Sequence, residues 1–286
     1  MRKDAENIMK EGVHMDRNTK IISKLQENYD IVKNMGYEIV GVFLQGSQNY
    51  ELDYEDSDID CKVITLPKFD DFVLNHKPIS TTHVLPNNEH IDTKDIRLMF
   101  DCFKKQNINF VEILFTKYRI MNSKYEQLFQ PLFDNNELIA HYNNYAAINC
   151  INGMCMEKYK ALEHPYPTIK DKIEKYGYDP KQLHHIIRLN EFIKRYINGE
   201  PYKDCLISKN KEYLIDVKKG LHSLEEARYI SKTLFNETYE IRNKYMENNK
   251  LIVNKKVEEI LNNVLLDILK VNFVEEWKVN IKNGGE

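Results

Sequence analysis

Between about Asp16 and Met35, apolar side chains recur at Ile21, Ile22, Leu25, Tyr29, Ile31 and Val32, a broad face that predicts an amphipathic helix. Gly36 stands where a glycine ends such a helix. Tyr37 to Gln45 has the pattern of a buried strand. Ile59 to Leu66 predicts its neighbour, stopped by Pro67. Ile79 to Leu85 and Glu89 to Thr93 flank Pro86-Asn87-Asn88, residues that favour a tight turn, so a hairpin is expected there. Helical spacing resumes over Asp95 to Lys105 through Ile96, Met99, Phe100 and Phe103. The apolar run Asn109 to Thr116 is too short for its period to assign.

From about Ser123 the pattern is helix after helix, with breaks near Pro131, His164 to Pro167, Gly177 to Pro180 and Gly199 to Pro201. Ser223 with Glu226 has the spacing of a capping box opening a helix toward Met246. Asn254 to Trp277 predicts another, and the tail Asn283 to Glu286 is expected to fray. The layout is a mixed α/β half followed by an α-helical half, without repeats or low-complexity segments.

The 286 residues are 42% apolar and 30% charged, the balance of a folded protein able to bury a large core. No run approaches the ~20 apolar residues of a membrane span, and the charged stretch Met1-Arg2-Lys3-Asp4 lacks the apolar core expected of a signal peptide. Five cysteines, spread along the chain, point to reduced thiols and a cytoplasmic location. Cys150 and Cys155 lack the spacing and partners of a zinc site. A net charge of −3 excludes a basic coat over the whole surface and leaves room for a local basic groove.

The chemistry concentrates in Gly41 to Ser47 and Ser57-Asp58-Ile59-Asp60. Residues two apart in a strand share a face, so Asp58 and Asp60 are expected side by side with Ile59 turned into the core. Two adjacent carboxylates repel unless a cation lies between them, and a hard divalent ion such as Mg²⁺ prefers carboxylates together with phosphate oxygens. Gly46 lets a backbone approach phosphates closely, and Ser47 supplies a hydroxyl. Gln48 and Asn49 are expected to line the same turn, and Ser57 to position the loop beside Asp58. Asp53, Glu55 and Asp56 are expected to be solvated.

Gly46-Ser47, ten intervening positions, then Asp58-Ile59-Asp60 resembles the signature of the DNA polymerase β nucleotidyltransferase superfamily. The fuller string from Gly46 to Leu52 and Ser57 to Asp60 resembles a branch of predicted nucleotidyltransferases associated with bacterial RNA repair. Tyr176-Gly177-Tyr178-Asp179-Pro180-Lys181, continuing through His184-His185-Ile186-Ile187-Arg188-Leu189, is similar to that branch's helical-half motif. The resemblance spans roughly residues 37 to 200. It departs at Glu51, where the family often has glycine.

The resemblance implies an α+β fold: a polymerase-β-like core of mixed sheet and flanking helices, followed by an α-helical C-terminal domain. The expected division is 1–120 for the catalytic domain with its N-terminal helix, and 121–286 for a helical domain closing the substrate cleft. The implied activity is two-metal, Mg²⁺- or Mn²⁺-dependent transfer of a nucleoside monophosphate from an NTP, ATP first, to an acceptor hydroxyl, releasing pyrophosphate, with Asp58 and Asp60 expected to hold both metals. A third carboxylate is expected on a neighbouring strand. Asp92 is the choice, Glu89 the runner-up, and Asp95 is expected to cap the following helix. Replacing Asp58, Asp60 or Asp92 is expected to abolish transfer and leave folding largely intact.

In the helical half, Lys158, Lys172, Lys181 and Arg188 are candidates for phosphate or acceptor contacts. On one helix, Lys181, His184, His185 and Arg188 fall on adjoining faces. Glu112 is expected either against a basic partner or facing the cleft. Tyr159, Tyr166, Tyr176 and Tyr178 are candidates for stacking a base. The branch resemblance points to RNA ends as acceptor, the net charge to a small molecule or a protein hydroxyl. Alternatives are a protein-modifying enzyme of toxin–antitoxin type and a nucleotide-binding regulator without catalysis.

Overall fold

The computed structural model describes residues 16–53 and 57–283. Asp16 caps α1 (Arg17–Asn34), its carboxylate accepting from the Asn18 N–H. Gly36, at φ 87°, turns the chain into β1 (Glu38–Leu44). Then follow β2 (Cys61–Leu66), the short α2 (Phe69–Val73), β3 (Ser80–Val84) and β4 (His90–Asp95). Asp95 caps α3 (Ile96–Lys104) through the Arg97 N–H. The run after Asn107 is helical: α4 (Ile108–Val111) continues into a 3₁₀ turn at Glu112–Leu114. A short strand that the pattern did not predict, β5 (Arg119–Met121), pairs with β1.

The five strands run in the order β3-β4-β2-β1-β5, antiparallel except for the parallel pair β2 and β4. One face packs on α1, where Ile21, Leu25 and Val32 meet Val42, Leu44, Cys61, Val63 and Ile91. The other face, through Val40, Phe43, Ile64 and Leu66, joins the main core with Phe129, Ile148, Phe192 and Ile268. A register irregularity between Ile39 and Gly41 shifts the phase of β1, so that Ile39 and Val42, three apart, share the α1 face.

The helical half comprises α5 (Ser123–Asp134), α6 (Asn136–Ala140), α7 (Asn144–Ala161), α8 (Lys170–Tyr176), α9 (Pro180–Ile197), α10 (Tyr202–Leu206), α11 (Lys211–Lys218), α12 (Leu224–Asn248) and α13 (Lys255–Asn283). Pro131 lies inside α5, contrary to the break expected there; the helix runs only one more turn and ends three residues later. The Ser223–Glu226 capping box opens α12 as expected. Glu55, Asp56 and the end of the tail, 284–286, lie outside the described residues. No helix among the described residues is long and apolar enough to cross a membrane. All five cysteines are free.

Candidate active site

The end of β1 and the start of β2 are tied together by backbone, the Gln45 N–H donating to the Asp60 carbonyl at 2.9 Å. Gly46, at φ 89° and ψ −155°, opens the 3₁₀ turn Ser47–Tyr50 in a conformation that a side chain strains. Gln48 and Asn49 clamp this turn from within. The Gln48 amide donates to the Asp58 carbonyl at 3.1 Å, and the Asn49 amide to the Leu44 carbonyl at 2.7 Å. Gln48 thereby fixes the backbone that carries Asp58.

Ile59 is buried at 4% exposure, with its N–H donating to Glu89 at 3.2 Å. Asp58 and Asp60 both line a cavity of about 650 Å³. Asp60 is held from behind, its Oδ1 accepting from the His90 N–H at 2.8 Å. β2 starts only at Cys61, so both carboxylates sit in the extended segment leading into it.

The two candidates for a third carboxylate separate by face. Glu89 alternates with the core residue Ile91, turns toward α1 and pairs with Lys24 at 3.1 Å. Asp92 stands opposite Lys62 in the parallel register, on the sheet face that Asp60 shares. It is ion-paired there: Lys62 Nζ lies 2.8 Å from Asp92 Oδ2 and 4.1 Å from the Phe110 ring centroid. Burial pushes the Lys62 amine down, against the pull of Asp92. Asp92 does not line the cavity. Among the described residues, no group of three or more His, Cys, Asp or Glu is placed to hold a metal.

The opposite wall comes from the helical half. Asp179 caps α9 through the Lys181 N–H, with Pro180 in the first turn. The spacing of the helix then delivers Lys181, His184, His185 and Arg188 to the cavity together. Lys158 from α7 and Lys172 from α8 join them. Lys175, Lys218 and Lys219 also line it, which sequence reasoning did not single out. Burial lowers Lys218 to about 8; Lys181 and Lys172 add to the shift and Asp58 opposes it, which places Lys218 among them.

Burial favours the neutral form of both α9 histidines. Burial takes His184 down to about 4 while its Nδ1 lies 2.9 Å from the Leu214 carbonyl, and burial holds His185 well below the usual range. Of the four candidate tyrosines, only Tyr176 reaches the cavity; Tyr159 stacks on Phe235 and Tyr178 is fully buried. Tyr50, which was not singled out, lies under Arg188, with the guanidinium 4.1 Å from its ring centroid. Glu112 meets both expectations at once. It lines the cavity and lies beside Arg188, its carboxyl pushed up to about 8 by burial against the pull of Arg188 and the Gly46 N–H.

No protein-family model and no curated protein matches this chain. Among solved structures it is similar to a nucleotidyltransferase-like protein from Exiguobacterium sibiricum 255-15, at 11% identity and a TM-score of 0.30, over 88% of this chain and 91% of that one. A likeness of that size leaves the function to be argued from the cavity.

Proposed function

We propose that the protein is a metal-dependent nucleotidyltransferase working in the cavity between the sheet and the helical half. One observation carries the reading: Asp58 and Asp60 face, across about 650 Å³, a wall bearing Lys158, Lys172, Lys175, Lys181, Arg188, Lys218 and Lys219. Carboxylates opposite that many cations suit a ligand that brings a divalent ion and several phosphates together.

The donor set fits Mg²⁺ or Mn²⁺. Mg²⁺ is held by one or two carboxylates together with phosphate oxygens and water, so Asp58 and Asp60 suffice. Bound there, the ion would neutralise charge on the transferring phosphate and favour ionisation of the attacking hydroxyl. The chain's own part is orientation. Asp58 and Asp60 hold the reacting end, Ser47 and Gly46 border the phosphates, and Lys158, Lys172, Lys181 and Arg188 fix the remainder of an NTP, ATP first. Asp92 is proposed as the third carboxylate, on the face of Asp60, with Lys62 giving it up when a cation competes. The acceptor is a hydroxyl, of an RNA end, a protein or a small molecule.

A second reading, nucleotide binding without transfer, is favoured by the Lys62–Asp92 ion pair, which occupies that carboxylate. Calorimetric titration with ATP tests the binding common to both. Binding is expected with Mg²⁺ and is expected to weaken at least tenfold with EDTA or in Asp58→Asn. Affinity indifferent to both would contradict the proposal.

A further inference from the structure

Arg188 and Glu112 lie on the lining of the cavity at 5% and 3% exposure. They come from separate elements, α9 and the 3₁₀ turn Glu112–Leu114. Each charge stabilises the other's ionised form, yet Nε and Nη1 of Arg188 and Oε2 of Glu112 are buried without a hydrogen-bond partner. A buried polar atom left unpaired is costly, so three on the lining of one cavity call for a bound group that completes them.

The chemistry of that group is narrow. A phosphate oxygen accepts from Arg188 but meets Glu112 only when that carboxyl is protonated. An amine serves Glu112 and leaves Arg188 unmet. A hydroxyl accepts from the guanidinium and donates to the carboxylate through one oxygen, and it equally accepts from Glu112 when that group is protonated. Phosphates have their own place near Asp58, where Lys172, Lys181 and Lys218 gather. Tyr202 from α10 acts on Arg188 and feels Glu112, while His184 and His185 feel Arg188 and Lys181 alike and so link the pair to those lysines. Tyr50 holds the guanidinium in place from the turn side.

A nucleotide carries its hydroxyls on the ribose, and a carboxylate reading a ribose hydroxyl is a recurrent solution. Resting on the nucleotide reading above, we infer that Arg188 and Glu112 form a ribose-hydroxyl subsite that selects ribonucleotides over deoxyribonucleotides. Sites built to hydrogen-bond a hydroxyl discriminate strongly against analogues that lack it, because their own polar groups are then stranded.

The test is equilibrium binding of ATP, 2′-deoxy-ATP and 3′-deoxy-ATP in Mg²⁺, for the wild type and for Glu112→Gln and Glu112→Ala, with thermal unfolding of each variant. The wild type is expected to bind at least one deoxy form about tenfold or more weakly than ATP, and Glu112→Ala to bring all three within about twofold. Equal wild-type affinity for the three overturns the inference and leaves nucleotide binding standing. Discrimination that survives in a folded Glu112→Ala overturns the role of Glu112. If neither variant folds, the wild-type ratio decides. No binding of ATP, GTP, CTP or UTP overturns the nucleotide reading itself.

Discussion

At Glu51 the backbone is left-handed, φ 57° and ψ 34°, a conformation that costs a side-chain-bearing residue on the order of 1 kcal/mol. The resemblance has glycine at this position, the residue that adopts this conformation without strain. An exposed ion pair to Lys211 offsets little of it. Glu51→Gly is expected to stabilise the protein by about 0.5–1 kcal/mol in urea titration. Asp92 calls for the opposite prediction. Because it neutralises Lys62, whose side chain is 3% exposed, Asp92→Ala is expected to destabilise the fold by on the order of 2 kcal/mol. The expectation that all three aspartates are replaceable without structural cost is therefore kept for Asp58 and Asp60 alone. Glu112 ties stability to pH. Burial pushes its carboxyl up to about 8 from an ordinary 4.5, so the folded state holds the extra proton between them. Stability attributable to it is present below about 4.5 and is lost as pH rises through 8. Thermal melts from pH 5 to 8.5 are expected to show a decline that Glu112→Gln flattens.

The elements that carry chemistry were legible because short-range rules fix them. Gly36, Asp95, Asp179 and Ser223 mark helix ends by local hydrogen bonds, and the capping box appears as its spacing predicts. Ser223→Ala is expected to cost about 1 kcal/mol by the same rule. What was not legible depends on neighbours distant in sequence. β5 is three residues long and exists only by pairing with β1. Lys218 and Lys219 follow helix-end logic as well as site logic, since cations commonly finish a helix. Tyr50 reads as an ordinary buried aromatic until Arg188 is placed over it. In the same way, nothing near Asp92 in the chain announces Lys62, thirty positions earlier and brought alongside by the parallel register.

At the scale of the molecule, the sheet is a shared wall. α1 closes one face, and the other continues without interruption into the helical half, so Val40 and Phe43 belong to the same core as Phe192 and Ile268. That continuity sets the cavity's two walls opposite each other: Asp58 and Asp60 from the sheet side, and seven cations with Asp171 among them from the helices. A net charge of −3 conceals this polarity, because the seven cations of the wall are concentrated while the acids are spread. The central claim is that this opposition serves nucleotidyl transfer. It is tested most directly by incubating the protein with α-labelled ATP, CTP, GTP and UTP in Mg²⁺ or Mn²⁺, with cellular RNA, cellular protein and small metabolites as separate acceptor pools, beside the Asp58→Asn/Asp60→Asn variant. The account predicts label on one pool with release of pyrophosphate, reduced by at least a hundredfold in the variant. Label transferred equally by a folded variant, or no transfer to any pool, would contradict it.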